Sequence, residues 1–346
     1  MTLQKKPVSM TKKQHNPYFD FLKGIAILMV VGIHTYPGGH SLGNGLSDTI
    51  QLVLINFFNC AVPLFLAISG YFIGKRKLYS ASECKSFWKK QIPTVYIPAL
   101  LFSLPWFVTY CITVDYNLGG VIINTAKLFL CGHSVYYFVA LIIECYLLAP
   151  LLVRHNNIKT LILVITISVI TTIGIEYLRF HHGIELPLII RGSFPVLLIF
   201  FYLGIFLSKH NRNYSLALPI ILMTIGLCLG LIHMEYIRDT YQISGQGQKL
   251  TLYLFDVGVI LLCMSKQCEL AYRNNPINRI ILYIGEISFG IYFTHIYMIN
   301  IAARFIPTIQ ESWITLWLFS ITLTIVFIAI LKKTSPEYSR KYLGYR

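Results

Sequence analysis

Residues 18–35 read YFDFLKGIAILMVVGIHT, a run long enough and apolar enough to cross a bilayer. The run nevertheless carries Asp20, Lys23 and His34, and ionisable groups at membrane depth are costly and by default functional. Eleven residues after Lys23 comes His34, which places the two side chains about 20° apart around a helix axis and about 16 Å apart along it. The sequence therefore predicts one helix face with a cation near its start and an imidazole near its end.

The composition indicates an integral membrane protein. Of 346 residues, 55% are hydrophobic and 12% are charged, and the mean hydropathy is +0.64. A soluble domain would be about one quarter charged. The first sixteen residues are polar and no small-residue cleavage site follows the apolar run, so we expect residues 18–35 to remain in place as a signal anchor.

Ten apolar segments have about the length needed to span a bilayer. The sequence thus predicts an all-α bundle of about ten transmembrane helices with both termini on one side. The predicted spans are 18–36, 50–74, 91–113, 135–153, 159–176, 192–208, 215–233, 249–266, 284–303 and 313–331.

The basic residues predict which side that is. Of the 29 Lys and Arg, 22 lie in the two tails and in alternate loops, six lie on the opposite side, and Lys23 is the last. This excess predicts cytoplasmic termini. It also accounts for the formal charge of +15 without nucleic acid as a partner. The predicted organisation is a cytoplasmic tail over 1–17, a membrane domain over 18–331 and a cytoplasmic tail over 332–346.

Several familiar kinds of site are not signalled. The eight cysteines are scattered and none forms a C-x-x-C pair, so we expect neither a metal site nor a disulfide framework. The chain contains no G-x-G-x-x-G, Walker or G-x-S-x-G motif, which leaves no signal for a nucleotide cradle or a serine hydrolase.

The other ionisable groups at membrane depth are candidates with structural alternatives. Asp20 has the spacing of an i, i+3 ion-pair partner for Lys23. The alternative for Lys23 is a side chain that snorkels to the cytoplasmic interface. A lone histidine near an interface is more often a satisfied polar residue than a catalyst. The candidates for orienting His34 or an acceptor are Asp20, Glu144, Arg191, Glu286 and His295.

Two motifs in particular resemble the integral-membrane family known as acyltransferase 3. The opening DFLKGIAILMVVGIH (20–34) followed by VPLFLAISGYFIGK (62–75) looks like the start of that family, and ISFGIYFTH (287–295) is similar to its motif near the C-terminus. Weaker likenesses follow in the family's order. They are FWKKQIPTVYIP (87–98), HSVYYFVALIIECYLLAPLL (133–152) and FFYLGIFL (200–207).

The resemblance implies transfer of an acyl group, usually acetyl, from cytoplasmic acyl-CoA to a hydroxyl of an envelope glycan. The acceptor would be a surface polysaccharide such as O-antigen of lipopolysaccharide, an exopolysaccharide, or a lipid-linked precursor. The family's basic-x10-His motif falls on Lys23 and His34, with Lys where many members have Arg and thus without a bidentate fork. Tyr136, Tyr137 and Phe138 replace the family's Trp-bearing version of that segment.

The chemistry of these residues agrees with the implied reaction and leaves two mechanisms open. A neutral imidazole at His34 could take the proton of a sugar hydroxyl, or it could attack the thioester and carry the acyl group. Lys23 would meet the phosphates of CoA, helped by the basic 74–90 loop with Lys75, Arg76, Lys89 and Lys90.

The resemblance also sets the expected partners and location. We expect acetyl-CoA or another acyl-CoA as a substrate and no permanently bound cofactor. The expected location is multi-pass in the inner (plasma) membrane, with the lipid bilayer, the glycan acceptor and glycan-biosynthesis enzymes as partners. A polytopic transporter or flippase for a glycan or lipid-linked intermediate is the alternative, and it would be expected to show internal repeats.

Overall fold

A computed structural model describes residues 16–36, 46–113, 118–241 and 249–342, and all its regular elements are helices. Three short 3-10 segments cover Ser134–Tyr136, Leu250–Leu252 and Pro307–Glu311. The α-helices are α1 (Pro17–Thr35), α2 (Leu46–Phe58), α3 (Ala61–Gly74), α4 (Ala81–Thr113), α5 (Leu118–Phe129), α6 (Tyr137–Arg154), α7 (Ile158–His182), α8 (Leu188–Arg191), α9 (Phe194–Leu207), α10 (Ala217–Tyr241), α11 (Tyr253–Met264), α12 (Lys266–Ala271), α13 (Pro276–Glu286), α14 (Ser288–Phe305), α15 (Trp313–Thr334) and α16 (Pro336–Tyr342).

Eight helical stretches in the described part of the chain are long and apolar enough to cross a membrane. They correspond to the first seven predicted spans and the last one, so the multi-pass helical architecture is confirmed while the number ten is not. The eight are Pro17–Thr35, Thr49–Gly74, Ala81–Thr113, Ser134–Arg154, Ile158–His182, Leu188–Leu207, Ala217–Tyr241 and Trp313–Thr334.

The other two predicted spans differ from the prediction. At 249–266 the apolar helical stretch is Leu250–Met264, which is shorter than 18 residues, whereas about 20 are needed to span the hydrocarbon core. At 284–303 the chain bends by 81° between α13 and α14. Ile287 stands at that bend as the residue between the two helices. The two helices qualify only together, as one bent span, which raises the number of candidate spans among the described residues to at most nine.

The first helix occupies the centre of the bundle. In its most apolar window 67% of the residues are buried, against 17% in α7 and 22% in α10. Asn16 caps α1 by accepting a hydrogen bond from the backbone N–H of Tyr18. Near its other end, the indole N–H of Trp313 donates to the carbonyl of Gly32 at 2.9 Å.

Helices α13, α14, α15, α2 and α3 all pack directly on α1. The contact with α13 is the closest, because the backbones meet at Gly24 and Gly285 where no side chain intervenes. The helix predicted to carry the functional face is therefore enclosed by its neighbours over most of its length.

Candidate active site

The last turn of α1 carries His34, whose imidazole lies against that of His295. The ring centroids are 5.2 Å apart and the ring planes are tilted by 40°. His34 is half-buried, and its side chain makes no hydrogen bond to any described residue. The structure thus brings together two histidines that are 261 residues apart in the chain.

His295 is fully buried and its protonation pattern follows from its hydrogen bonds. Its Nδ1 lies 3.0 Å from the carbonyl oxygen of Ile291 and 2.8 Å from that of Tyr292. Because a carbonyl oxygen can only accept, Nδ1 carries the proton of the neutral ring. Nε2 therefore holds a lone pair, and it has no hydrogen-bond partner within the described ranges.

Aromatic side chains close one side of the histidine pair. The ring of Tyr292 lies 6.2 Å from that of His295, and Tyr136 and Phe293 pack beside it with centroids 5.9 Å apart. Burial among aromatic groups lowers the local dielectric and strengthens the electrostatic interactions of a reacting group. Sequence reasoning noted Tyr136 only as a departure from a family motif and did not single out Tyr292.

At the first turn of α1 the predicted pair of Asp20 and Lys23 forms. The Nζ of Lys23 lies 2.6 Å from Oδ1 of Asp20, and Asp20 is buried while about a third of the Lys23 side chain is exposed, at 32%. Asp20 is therefore the structural partner of the cation, as the i, i+3 alternative predicted. The Lys23 ammonium also lies 6.0 Å from the centroid of the Phe72 ring.

Two further cations join Lys23 at this end of the bundle. Next to Phe72, the ring of Tyr71 has the Nζ of Lys75 at 4.0 Å and the guanidinium carbon of Arg212 at 4.9 Å from its centroid. In the sequence, Arg212 is one of the 22 Lys and Arg whose positions predict cytoplasmic termini. Its signal was its position in a loop predicted to lie on the same side as Lys75.

The basic segment after α3 is partly helical, and part of it lines a cleft. An open cleft of about 390 Å³ is bordered by Arg76, Lys77 and Lys90. Lys89 is exposed on α4 but does not line the cleft. The carboxylate of Glu83 accepts hydrogen bonds from the backbone N–H groups of Tyr79 and Ser80, just before α4, at 3.0 and 2.9 Å. Because Glu83 also lines the cleft, three cations and one carboxylate border it.

Three candidates have other surroundings. Oε2 of Glu144 accepts a hydrogen bond from the N–H of Phe194 at 2.8 Å, so this carboxylate caps the start of α9. Arg191 ends α8, and its buried Nε bonds to no described residue. Glu286 is exposed at the end of α13. In the described part of the chain, no hydrogen bond or ion pair joins any of the three to His34 or His295.

Comparisons with known proteins bear on the class of reaction. The acyltransferase 3 family model, described as an acyltransferase domain, matches residues 16–333. A serine/alanine racemase of Enterococcus gallinarum is 26% identical over 344 residues, covering 94% of this chain and 47% of the racemase. The chain thus spans about half the length of that curated relative. No solved structure matches.

Proposed function

The chain belongs to the acyltransferase 3 family of membrane acyltransferases, and we propose that it moves an acyl group, in the simplest case acetyl, from cytoplasmic acyl-CoA to a hydroxyl of an envelope glycan. The acceptor in this proposal is a surface polysaccharide, such as O-antigen or an exopolysaccharide, or its lipid-linked precursor. The positive-inside pattern supports cytoplasmic termini and an inner-membrane location.

The observation that carries the proposal is the contact between His34 and His295. His34 lies in the last turn of α1, and Lys23 lies near the opposite end of the same helix. Acyl transfer needs a base that can reach the hydroxyl, and imidazole is neutral at physiological pH unless its surroundings change that. A lone pair on Nε2 of His295, beside a second imidazole and away from other hydrogen-bond partners among the described residues, supplies such a base.

Two balanced reaction routes fit this pair. In one, a histidine nitrogen takes the hydroxyl proton as the oxygen attacks the thioester carbonyl, and the imidazolium returns that proton to the departing CoA thiolate. In the other, neutral His34 attacks the thioester and the C–S bond breaks, which leaves an acyl-imidazolium and the CoA thiolate. His295 then takes the hydroxyl proton as the oxygen takes the acyl group and frees neutral His34, and the imidazolium of His295 passes that proton to the CoA thiolate.

The cations at the other end of α1 support an anionic donor. Lys23, Lys75 and Arg212 surround the rings of Phe72 and Tyr71, and of these Lys23 is paired with Asp20 and Arg212 with Glu269. The nearby cleft adds three positive side chains and one carboxylate, that of Glu83. Phosphate groups of CoA would bind there through charge-assisted hydrogen bonds. From Lys23, the extended pantetheine arm would run about 16 Å along α1 to reach His34.

The racemase relative does not identify an acceptor. Its name describes an enzyme acting on serine and alanine, but about half of that protein lies outside the match. A transporter or flippase for a glycan or lipid-linked intermediate stays the alternative to the enzyme, and the experiment below separates them.

The test is acetyl-CoA turnover by purified protein in lipid nanodiscs, with and without envelope glycan. We expect glycan-dependent release of CoA that falls by about 100-fold or more in His34→Ala and His295→Ala, the range for loss of a general base. His210→Ala is the matched control, because that histidine is exposed and its ring stacks on Phe206.

Other outcomes would change the proposal in defined ways. CoA release that survives in His34→Ala would keep the enzyme and remove His34 from the mechanism. The protein could instead fold and turn over no acyl-CoA, while the exported glycan pool of the cells depends on it. That result would favour a transporter over an enzyme.

A further inference from the structure

A turn with an unusual backbone supports the part of α14 that carries His295. Between α5 and α6, both Cys131 (φ 56°) and Ser134 (φ 48°) lie in the left-handed region, which side chains with a Cβ rarely adopt. Such conformations persist where the surroundings over-determine them, and they concentrate at functional sites. The turn makes hydrogen bonds to α5 on one side and to α14 on the other.

One end of the turn is anchored on α5. The N–H of Gly132 donates to the carbonyl of Lys127 at 2.7 Å. Nε2 of His133 lies 3.3 Å from the carbonyl oxygen of Asn124, and His133 is largely buried. The turn is therefore fixed on α5, and no hydrogen bond among the described residues joins α5 to His34 or His295.

The other end is joined to α14 by two hydrogen bonds that run in opposite directions. The hydroxyl of Tyr136 donates to the carbonyl of Phe293 at 3.0 Å. The hydroxyl of Tyr292 donates to the carbonyl of Val135 at 2.7 Å. Both bonds meet α14 at residues 292 and 293, one turn before His295.

This turn of α14 also orients the imidazole. The carbonyl groups of Ile291 and Tyr292 receive the Nδ1 proton of His295, so a shift of this turn would move both acceptors. Phenylalanine would fill the same volume as either tyrosine, and packing alone therefore does not account for the two hydroxyls. What the hydroxyls add is a fixed position of the α14 backbone.

We propose that Tyr136 and Tyr292 are positioning residues that hold His295 in its Nδ1-protonated tautomer, with the turn from Cys131 to Tyr136 as their support. The proposal deepens the acyl-transfer function, on which its kinetic consequence rests. In this proposal, the segment of Tyr136, Tyr137 and Phe138, which replaces the family's Trp-bearing version, fixes the α14 backbone near His295.

The direct test is ¹⁵N NMR of histidine-labelled protein in nanodiscs, because protonated and unprotonated ring nitrogens have different chemical shifts. The His295 signals are assigned by their disappearance in His295→Ala. We expect the wild-type protein to show a single Nδ1-protonated tautomer, and Tyr136→Phe and Tyr292→Phe to show a mixture. Tyr214→Phe is the matched control, since its hydroxyl, in the loop between α9 and α10, donates to the carbonyl of Leu261 in α11 at 2.6 Å.

Kinetics give a second readout. If the proposed reaction holds, kcat falls by about ten- to a hundred-fold in each phenylalanine variant, as expected for a small misplacement of a reacting group. KM for acyl-CoA stays unchanged because the Lys23 end is untouched. A merely structural role would instead lower the amount of folded protein without changing the tautomer.

The two proposals fail separately. An unchanged Nδ1-protonated tautomer in both phenylalanine variants, or an Nε2-protonated ring in the wild-type protein, would overturn the positioning role whatever the activity. A shifted tautomer in a protein that transfers no acyl group would leave the positioning role standing and remove the acyl-transfer function.

Discussion

The crossing of α1 and α13 makes Gly285→Ala a demanding test of the fold. A Cβ on Gly285 would lie 1.7 Å from the carbonyl oxygen of Asp20 and 2.8 Å from the nitrogen of Gly24. These are backbone atoms and cannot rotate away. To lengthen the first contact from 1.7 Å to an ordinary 3.4 Å, the two helices must separate by about 1.7 Å. Overpacking of this kind costs about 1–3 kcal/mol, occasionally more, and we expect the upper end.

The same separation would reach the histidine pair, because α14 follows α13 after a single residue. A displacement of about 1 Å in a reacting group can cost about 100-fold in rate, so we expect Gly285→Ala to lose activity as well as stability. The stability assay is SDS titration of the protein in mixed micelles, followed by tryptophan fluorescence, since Trp313 and Trp317 both donate hydrogen bonds to carbonyls of α1.

Gly174→Ala is the matched control. Gly174 lies within α7, and a Cβ there meets nothing within 4 Å. We expect unchanged or slightly higher stability, since alanine is favoured over glycine in a helix interior by about 0.5–1 kcal/mol. Equal stability and activity of Gly285→Ala and the wild-type protein would refute the close crossing described here.

Two further predictions concern carboxylates. Glu144→Gln should keep stability near wild type because its amide oxygen can still accept from Phe194. Glu144→Met leaves the partly buried N–H of Phe194 unsatisfied and should cost about 1 kcal/mol, measured by the same titration. Burial tends to raise the pKa of Glu269, but hydrogen bonds from Arg212 and Lys266 outweigh it and hold the pKa below its usual 4.5. Its stabilisation should therefore be complete above about pH 4.5 and be lost as the pH falls further, and Glu269→Gln should abolish that dependence; a variant that keeps the wild-type acid profile would contradict it.

The predicted face of α1 depended on spacing alone, which is why the sequence could reveal it. Helix geometry aligns Lys23 and His34 whatever surrounds them. The partner of His34 is different, because no periodicity relates positions 34 and 295. Its place at membrane depth made His295 one candidate among several, and only the structure brings the two rings to 5.2 Å.

Hydropathy predicted most of the spans but could not predict how the chain interrupts them. An averaged window over 284–303 remains apolar through Ile287, where α13 ends and the direction changes by 81°. Similarly, the polarity of Glu144 was visible in the sequence, but its role was not. A carboxylate that caps another helix is fixed by a contact with the N–H of Phe194, 50 residues away.

The bend at Ile287 is also what creates the histidine pair. Gly285 meets the backbone of Asp20 at the start of α1, so α13 is fixed against the end of that helix which carries Lys23. Helix α13 runs antiparallel to α1, with Ile281 at Gly24 and Gly285 at Asp20, so a straight continuation would run past the start of α1 and away from His34. Because the chain turns by 81°, α14 packs on α1 as well, and ten residues after Gly285 it delivers His295 to the last turn of α1. The contact at Gly285 therefore ties the start of α1 to the helix pair that carries His295, while α1 itself sets the distance between Lys23 and His34.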